Sequence, residues 1–254
     1  MKPILFEVFG IKVYGYGFMI TIGIIFALVL LNKRSKERGY NEDMLWDMSI
    51  FTIISGVIGG KVLYILTDFN YIKSNPVAII KEFGSGFVIY GAIIGGVLGI
   101  VIYCKRKRWS ILKTIDLVAP SVVLAQGFGR IGCFLAGCCY GRETHLPIGV
   151  IFKESPFAPS HISLHPTQLY SSIFDFGLAL FLLWYDKKER KNGKVFSMYV
   201  IIYSVGRFIV EFFRNDPRGT VGIFSTSQFI AIFTLVIGLV LFNLSKIRKI
   251  VYKR

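Results

Sequence analysis

Seven apolar stretches run through this chain, near residues 16–31, 47–66, 86–104, 115–135, 167–185, 195–213 and 226–244. Each approaches the ~20 residues a helix needs to cross a bilayer. Inside hydrocarbon every backbone N–H and C=O must find a partner within the protein, so runs of this kind fold as helices. Of 254 residues 54% are hydrophobic and only 18% charged, and the mean hydropathy is +0.59. The expectation is an all-α polytopic membrane protein of seven transmembrane helices, with residues 1–254 forming a single domain. The fourth stretch contains Pro120 and leads into glycines at 127, 129, 132, 137 and 141. It is expected to be broken or re-entrant near residues 118–135, which membrane depth tolerates only where protein or a water-filled cavity surrounds the backbone.

The formal net charge of +15 invites a nucleic-acid reading, but its placement argues against one. Nineteen of the 30 Lys and Arg residues fall in the connections after the first, third, fifth and seventh stretches, eight fall in the other connections, and Lys61, Arg130 and Arg207 lie within stretches. Strict alternation of this kind places the N-terminus outside and the C-terminus in the cytoplasm. The basic residues then face anionic lipid head groups, and no nucleic-acid partner is expected. The basic cluster after the first stretch follows the apolar run instead of preceding it, which is the wrong order for a cleaved signal peptide. Glycines at 56 and 60, and at 91, 95 and 99, recur in steps of four, the pattern of closely packed helices.

Two arginines stand out inside apolar surroundings. Arg130 lies in the glycine-rich segment 127–142 with no acid near it in sequence. A charge at that depth is costly and marks a functional site by default. A guanidinium fork among glycine amides suits a phosphate. Arg207, Glu211 and Arg214 are spaced i, i+4, i+7 and share one helix face. An Arg207–Glu211 pair can be structural, yet buried pairs contribute little to stability, which favours a functional purpose.

Other residues carry weaker signals. His165 precedes Pro166 in the segment His165-Pro-Thr-Gln168-Leu-Tyr170, where proline suits a first helical turn and the histidine reads as a cap, a surface group or a substrate contact. Tyr16 and Tyr90 stand near the outer starts of their stretches, as belt residues or cavity-lining ones. The connection 136–166 is the longest and contains all three histidines. Cys133, Cys138 and Cys139 match no common zinc spacing even with His145 added, so no metal is expected; a disulfide or packed thiols are the other readings.

Taken together these pieces resemble the prolipoprotein diacylglyceryl transferase family. The matching segments are Tyr16-Gly-Phe-Met19, Asp116-Leu-Val-Ala-Pro120, Gln126 with Gly129-Arg-Ile-Gly-Cys-Phe134 and Gly141, His165 to Tyr170, Gly206 to Arg214, and Ser227-Gln228. The resemblance implies a bacterial inner-membrane enzyme whose site opens toward the outer leaflet. Such an enzyme moves the diacylglyceryl group of phosphatidylglycerol to the lipobox cysteine of a prolipoprotein and releases glycerol-1-phosphate. By the same resemblance Arg130 binds the lipid phosphate, Arg207 with Glu211 stabilises the leaving phosphate, and Tyr16 lines the cavity. Arg214, His165 and Gln168 are further substrate-binding candidates.

The chain departs from the family signature, which has asparagines at Cys133 and Ala136, a glutamate at Cys138 and, in some members, a histidine at Tyr90. Tyr90, Glu211 and His165 are the candidate proton acceptors. The attacking species must be a thiolate, since the free thiol has a pKa of ~8.5, and fixed positive charge belongs where the leaving phosphate accumulates negative charge. This scheme requires no cofactor. The alternatives are transfer to a different acceptor, an anion or lipid transporter without covalent chemistry, and a thiol-redox membrane protein.

Overall fold

The computed structural model describes residues 3–251, apart from 9, 76, 78–85, 154, 189–190 and 218. They are mostly helical. The chain divides into two compact units, Met1–Leu31 with Asp116–Arg254, and Asn32–Ile115.

The smaller unit is built on α2 (Glu42–Thr67), a short α3 (Phe69–Ser74) and α4 (Ile89–Arg106). Asn41 begins α2 by accepting the Met44 N–H at 3.0 Å, and Glu42 and Asp43 in the first turn complement the helix dipole. Apolar side chains alone do not explain how closely α2 and α4 pack. A Cβ on Gly59 would lie 2.4 Å from the Gly91 carbonyl oxygen, and one on Gly95 would lie 2.3 Å from that of Ser55. Only hydrogen fits at these crossings, so Gly91 and Gly95 of the expected steps serve backbone-to-backbone packing, against Gly59 and Ser55, whereas Gly60 and Gly99 mainly face the side chains of Phe87, Ala92 and Ser55. Lys61 is buried on α2, with its Nζ 5.0 Å from the Phe87 ring centroid and 5.2 Å from that of Tyr64. Aromatic faces thus take part of the charge.

The larger unit opens with an antiparallel hairpin, β1 (Ile4–Val8) and β2 (Ile11–Tyr14), which leads into α1 (Gly15–Glu37). The chain returns in α5 (Ile111–Ala136) and crosses a loop with the two-residue strands β3 (Val150–Ile151) and β4 (Ser163–Leu164). It continues through α6 (Thr167–Asp186), α7 (Lys194–Glu211), the hairpin β5 (Thr220–Val221) and β6 (Phe224–Ser225), and α8 (Thr226–Val251). Val123, Leu178, Leu182, Tyr185 and Val195 form its main core, drawn from α5, α6 and α7. Tyr140, Phe152, Ala158 and Leu164 form a second core under the loop. Asp116 fixes the start of α7: its Oδ2 accepts the Gly193 N–H at 2.5 Å and its Oδ1 the Phe196 N–H at 2.8 Å.

Six helices of the described residues are long and apolar enough to cross a membrane: α1, α2, α4, α5, α6 and residues Thr226–Asn243 of α8. Outward side chains such as Ile173 and Leu180, 71% and 69% exposed, suit lipid and not water. Helix α7, which carries Lys194, Arg207 and Glu211, is not among the six. The basic residues Lys2, Lys81, Arg190, Arg218, Lys253 and Arg254 of the charge pattern lie outside the described residues.

One expectation is overturned. The fourth stretch is neither broken nor re-entrant but a continuous helix, with Pro120 inside α5. A proline removes one backbone donor, and a helix enclosed by neighbours absorbs that loss. Three of the five glycines belong to the helix and two to the loop beyond it. Gly127 faces the Phe176 ring and carries its carbonyl to the Ser172 hydroxyl, which donates at 2.9 Å. Gly132 faces Tyr16 of α1.

Candidate functional site

The larger unit brings Arg130 and Arg207 together. Arg130 projects from α5 and Arg207 from α7 into one narrow cavity, which Ser171 and Asp175 of α6 and Tyr203 and Gly206 of α7 also line. Gly206 is there because the Phe174 ring occupies the space a side chain would need.

Arg207 is held at two points. Its Nη1 lies 2.9 Å from Glu211 Oε2, and its Nη2 donates to Ser227 Oγ at 2.9 Å. The other Glu211 oxygen accepts the Ser225 hydroxyl at 2.9 Å, and Ser225 N–H donates to Gln228 Oε1 at 3.1 Å. Ser225 at the end of β6, with Ser227 and Gln228 at the start of α8, therefore orients the guanidinium through two hydroxyls and an amide. The Ser227-Gln228 dipeptide, which the sequence marked only by resemblance, acquires a physical role here.

Arg214 does not face this cavity as a free cation. Its Nε and Nη2 donate to the two carboxylate oxygens of Asp216 at 3.0 and 2.9 Å. Burial holds the Asp216 carboxyl above the ordinary carboxylate range, although Arg214 pulls it down. A bridge between Gly141 and Arg214, with Arg142 N–H donating to Phe213 O at 2.8 Å, ties the end of α7 to the loop after α5.

His165 and Gln168 support that same loop. His165 Nδ1 is 3.0 Å from the Tyr170 hydroxyl, and its ring meets Tyr170 and Phe213 edge-on. Gln168 is fully buried, its Nε2 donating to Cys138 O at 2.6 Å while its Oε1 has no hydrogen-bond partner among the described residues. Tyr16, 44% exposed, packs against Gly132, two residues beyond Arg130. Tyr90 lies at the start of α4 in the other unit and is 43% exposed.

Asp175 escaped the sequence reading. It is 2% exposed, shares the cavity of Arg130 and Arg207, and its Oδ2 has no hydrogen-bond partner among the described residues. The signal was present: an acid in the middle of an apolar stretch carries the same default suspicion as an arginine there.

A family model described as prolipoprotein diacylglyceryl transferase matches residues 3–244. The chain belongs to that family. It is 65% identical over 249 residues to the phosphatidylglycerol–prolipoprotein diacylglyceryl transferase of Clostridium tetani (strain Massachusetts / E88), covering 98% of this chain and all of the relative. It is 57% identical over 248 residues to phosphatidylglycerol–prolipoprotein diacylglyceryl transferase 2 of Clostridium perfringens (strain 13 / Type A), covering 98% of this chain and 97% of that one. A Finegoldia magna relative of the same name is 33% identical over 242 residues, or 95% of this chain and 94% of its own length.

Proposed function

We propose that this chain transfers the diacylglyceryl group of phosphatidylglycerol to the lipobox cysteine of prolipoproteins and releases glycerol-1-phosphate. The observation that carries the reading is that Arg130 and Arg207, from separate helices, line one cavity. Arg130 grips the lipid phosphate. Arg207, aimed by Glu211 and Ser227, meets the charge that grows on the phosphate as the carbon–oxygen bond breaks. Donors fixed in advance cost no reorganisation at that moment, and a low-dielectric wall strengthens them. Holding two membrane-anchored substrates side by side supplies the remaining acceleration by proximity. Tyr16 borders the site beside Gly132, and Arg214, His165 and Gln168 shape the loop that closes it.

The whole chain is read as one enzyme domain in the bacterial cytoplasmic membrane. Helix α7 serves as the seventh span, the N-terminus is outside, and the site opens toward the outer leaflet. The alternating basic residues support this orientation. The test is a lipobox peptide incubated with phosphatidylglycerol vesicles and the purified protein, with products read by mass. Thioether formation that falls by at least about 10²-fold in both Arg130→Ala and Arg207→Ala is expected. Undiminished rates in both variants would end the reading.

A further inference from the structure

Three cysteines remain that the transfer chemistry has not used. Cys133, Cys138 and Cys139 place their sulfurs within 4.8 Å of one another, and all are free thiols. Cys133 comes from the last turns of α5, the other two from the turn that follows. That turn is held from several sides. Cys138 N–H donates to Cys133 O at 3.2 Å, Thr167 Oγ1 donates to Cys139 O at 2.7 Å, and Gln168 Nε2 donates to Cys138 O at 2.6 Å. Cys139 has a φ of +62°, a conformation non-glycine residues adopt at a cost and keep only where surroundings impose it. Gly137, at +72°, makes the turn possible.

We infer that Cys133, Cys138 and Cys139 form a three-thiolate site for a thiophilic divalent cation of the zinc class, with its fourth position open to the substrate thiol. The inference rests on the transfer reading above. Thiolates about 2.3 Å from a shared ion stand about 3.8–4.0 Å apart, so sulfurs already this close need only small rotations to converge. Among the described residues no fourth His, Cys, Asp or Glu joins the group, and three protein ligands with one open position is the arrangement of a reactive zinc site. Three thiolates and a divalent ion carry one net negative charge, and Arg130 stands one helical turn before Cys133 on the same face of α5.

The step balances without an oxidant. The lipobox thiol coordinates the ion and loses its proton to water, because a coordinating thiol is deprotonated outright. Its sulfur lone pair forms the bond to the glyceryl carbon. The carbon–oxygen bond breaks, its electron pair stays on the phosphate oxygen facing the arginines, and the metal keeps its oxidation state.

The experiment uses full-length protein, reduced and stripped by chelator, titrated with Cd²⁺ alone. One ion per chain is expected, with thiolate-to-cadmium charge-transfer absorption. The triple variant Cys133→Ser, Cys138→Ser, Cys139→Ser should lose it and Cys104→Ser should keep it. A lipobox peptide with cysteine should change the spectrum, and the same peptide with serine should not. Zn²⁺ restored to stripped enzyme should raise thioether formation by about 10²-fold, the usual scale of acid–base assistance. No stoichiometric binding, binding unchanged in the triple variant, a spectrum indifferent to the peptide thiol, or full activity when stripped would each overturn the proposal. Cadmium binding without any lipid transfer, with or without Zn²⁺, would instead overturn the transferase reading and leave the three-thiolate site standing.

Discussion

Arg207 Nη1 stands 2.9 Å from Glu211 Oε2, one helical turn further along α7, with their side chains only 17% and 6% exposed. The carboxylate compensates a charge that its surroundings would otherwise penalise. Removing one member of a buried pair leaves the other uncompensated, at a cost of about 3–5 kcal/mol. Glu211→Ala is therefore expected to lower both thermal stability in detergent and transfer rate. Glu211→Gln, which can still accept from Ser225, should recover most of the stability and little of the rate. Equal recovery of both would show that the pair is only structural.

Asp175 gives the cavity of two arginines a carboxylate. Replacing it by Asn removes one negative charge without removing volume. Anionic lipid should then be held more tightly and the phosphate product released more slowly. Steady-state kinetics of Asp175→Asn should show KM for phosphatidylglycerol falling and kcat falling with it. A higher KM would contradict this account of the cavity's charge.

Arg130→Lys tests geometry against charge. Lysine keeps the positive charge but lacks the planar fork that meets two phosphate oxygens at once. A loss of about 10-fold or more in kcat/KM for thioether formation is expected, on the scale of one forfeited charge-assisted hydrogen bond. Wild-type kinetics would show that charge alone suffices there.

The α2–α4 crossing should be intolerant of a single methyl group. A Cβ on Gly91 would stand 2.3 Å from the Gly59 carbonyl oxygen, and backbone cannot swing aside as a side chain can. Gly91→Ala is expected to destabilise the smaller unit by about 1–3 kcal/mol. Gly17→Ala, with open space where the Cβ would go, should be nearly neutral. Thermal unfolding of the two variants in the same detergent makes the comparison.

Asp116 joins segments nearly 80 residues apart by accepting two N–H groups at the start of α7. Asp116→Ala leaves both donors unsatisfied, at about 1–3 kcal/mol each. Asp116→Asn retains one acceptor and should lose roughly half as much, measured by the same unfolding assay.

Much of this protein was legible one residue at a time. Apolar runs and glycine steps are local properties, so membrane character, the helical class and the expectation of close helix packing could be read from the chain, but not which helices would meet. So could the choice of Arg130 and Arg207 as candidates, because a charge in an apolar run is costly whatever surrounds it. Pro120 misled, because whether a missing donor breaks a helix depends on neighbours that its own segment does not contain. Which charges meet was also beyond the linear order. Asp175 joins Arg130 and Arg207 only where α5, α6 and α7 line one cavity, and three sulfurs whose spacing matches no metal pattern become neighbours only through a turn that Thr167 and Gln168 hold in place. Hydrophobicity is a sum over local composition, whereas electrostatic and coordination chemistry depend on distances that folding alone sets.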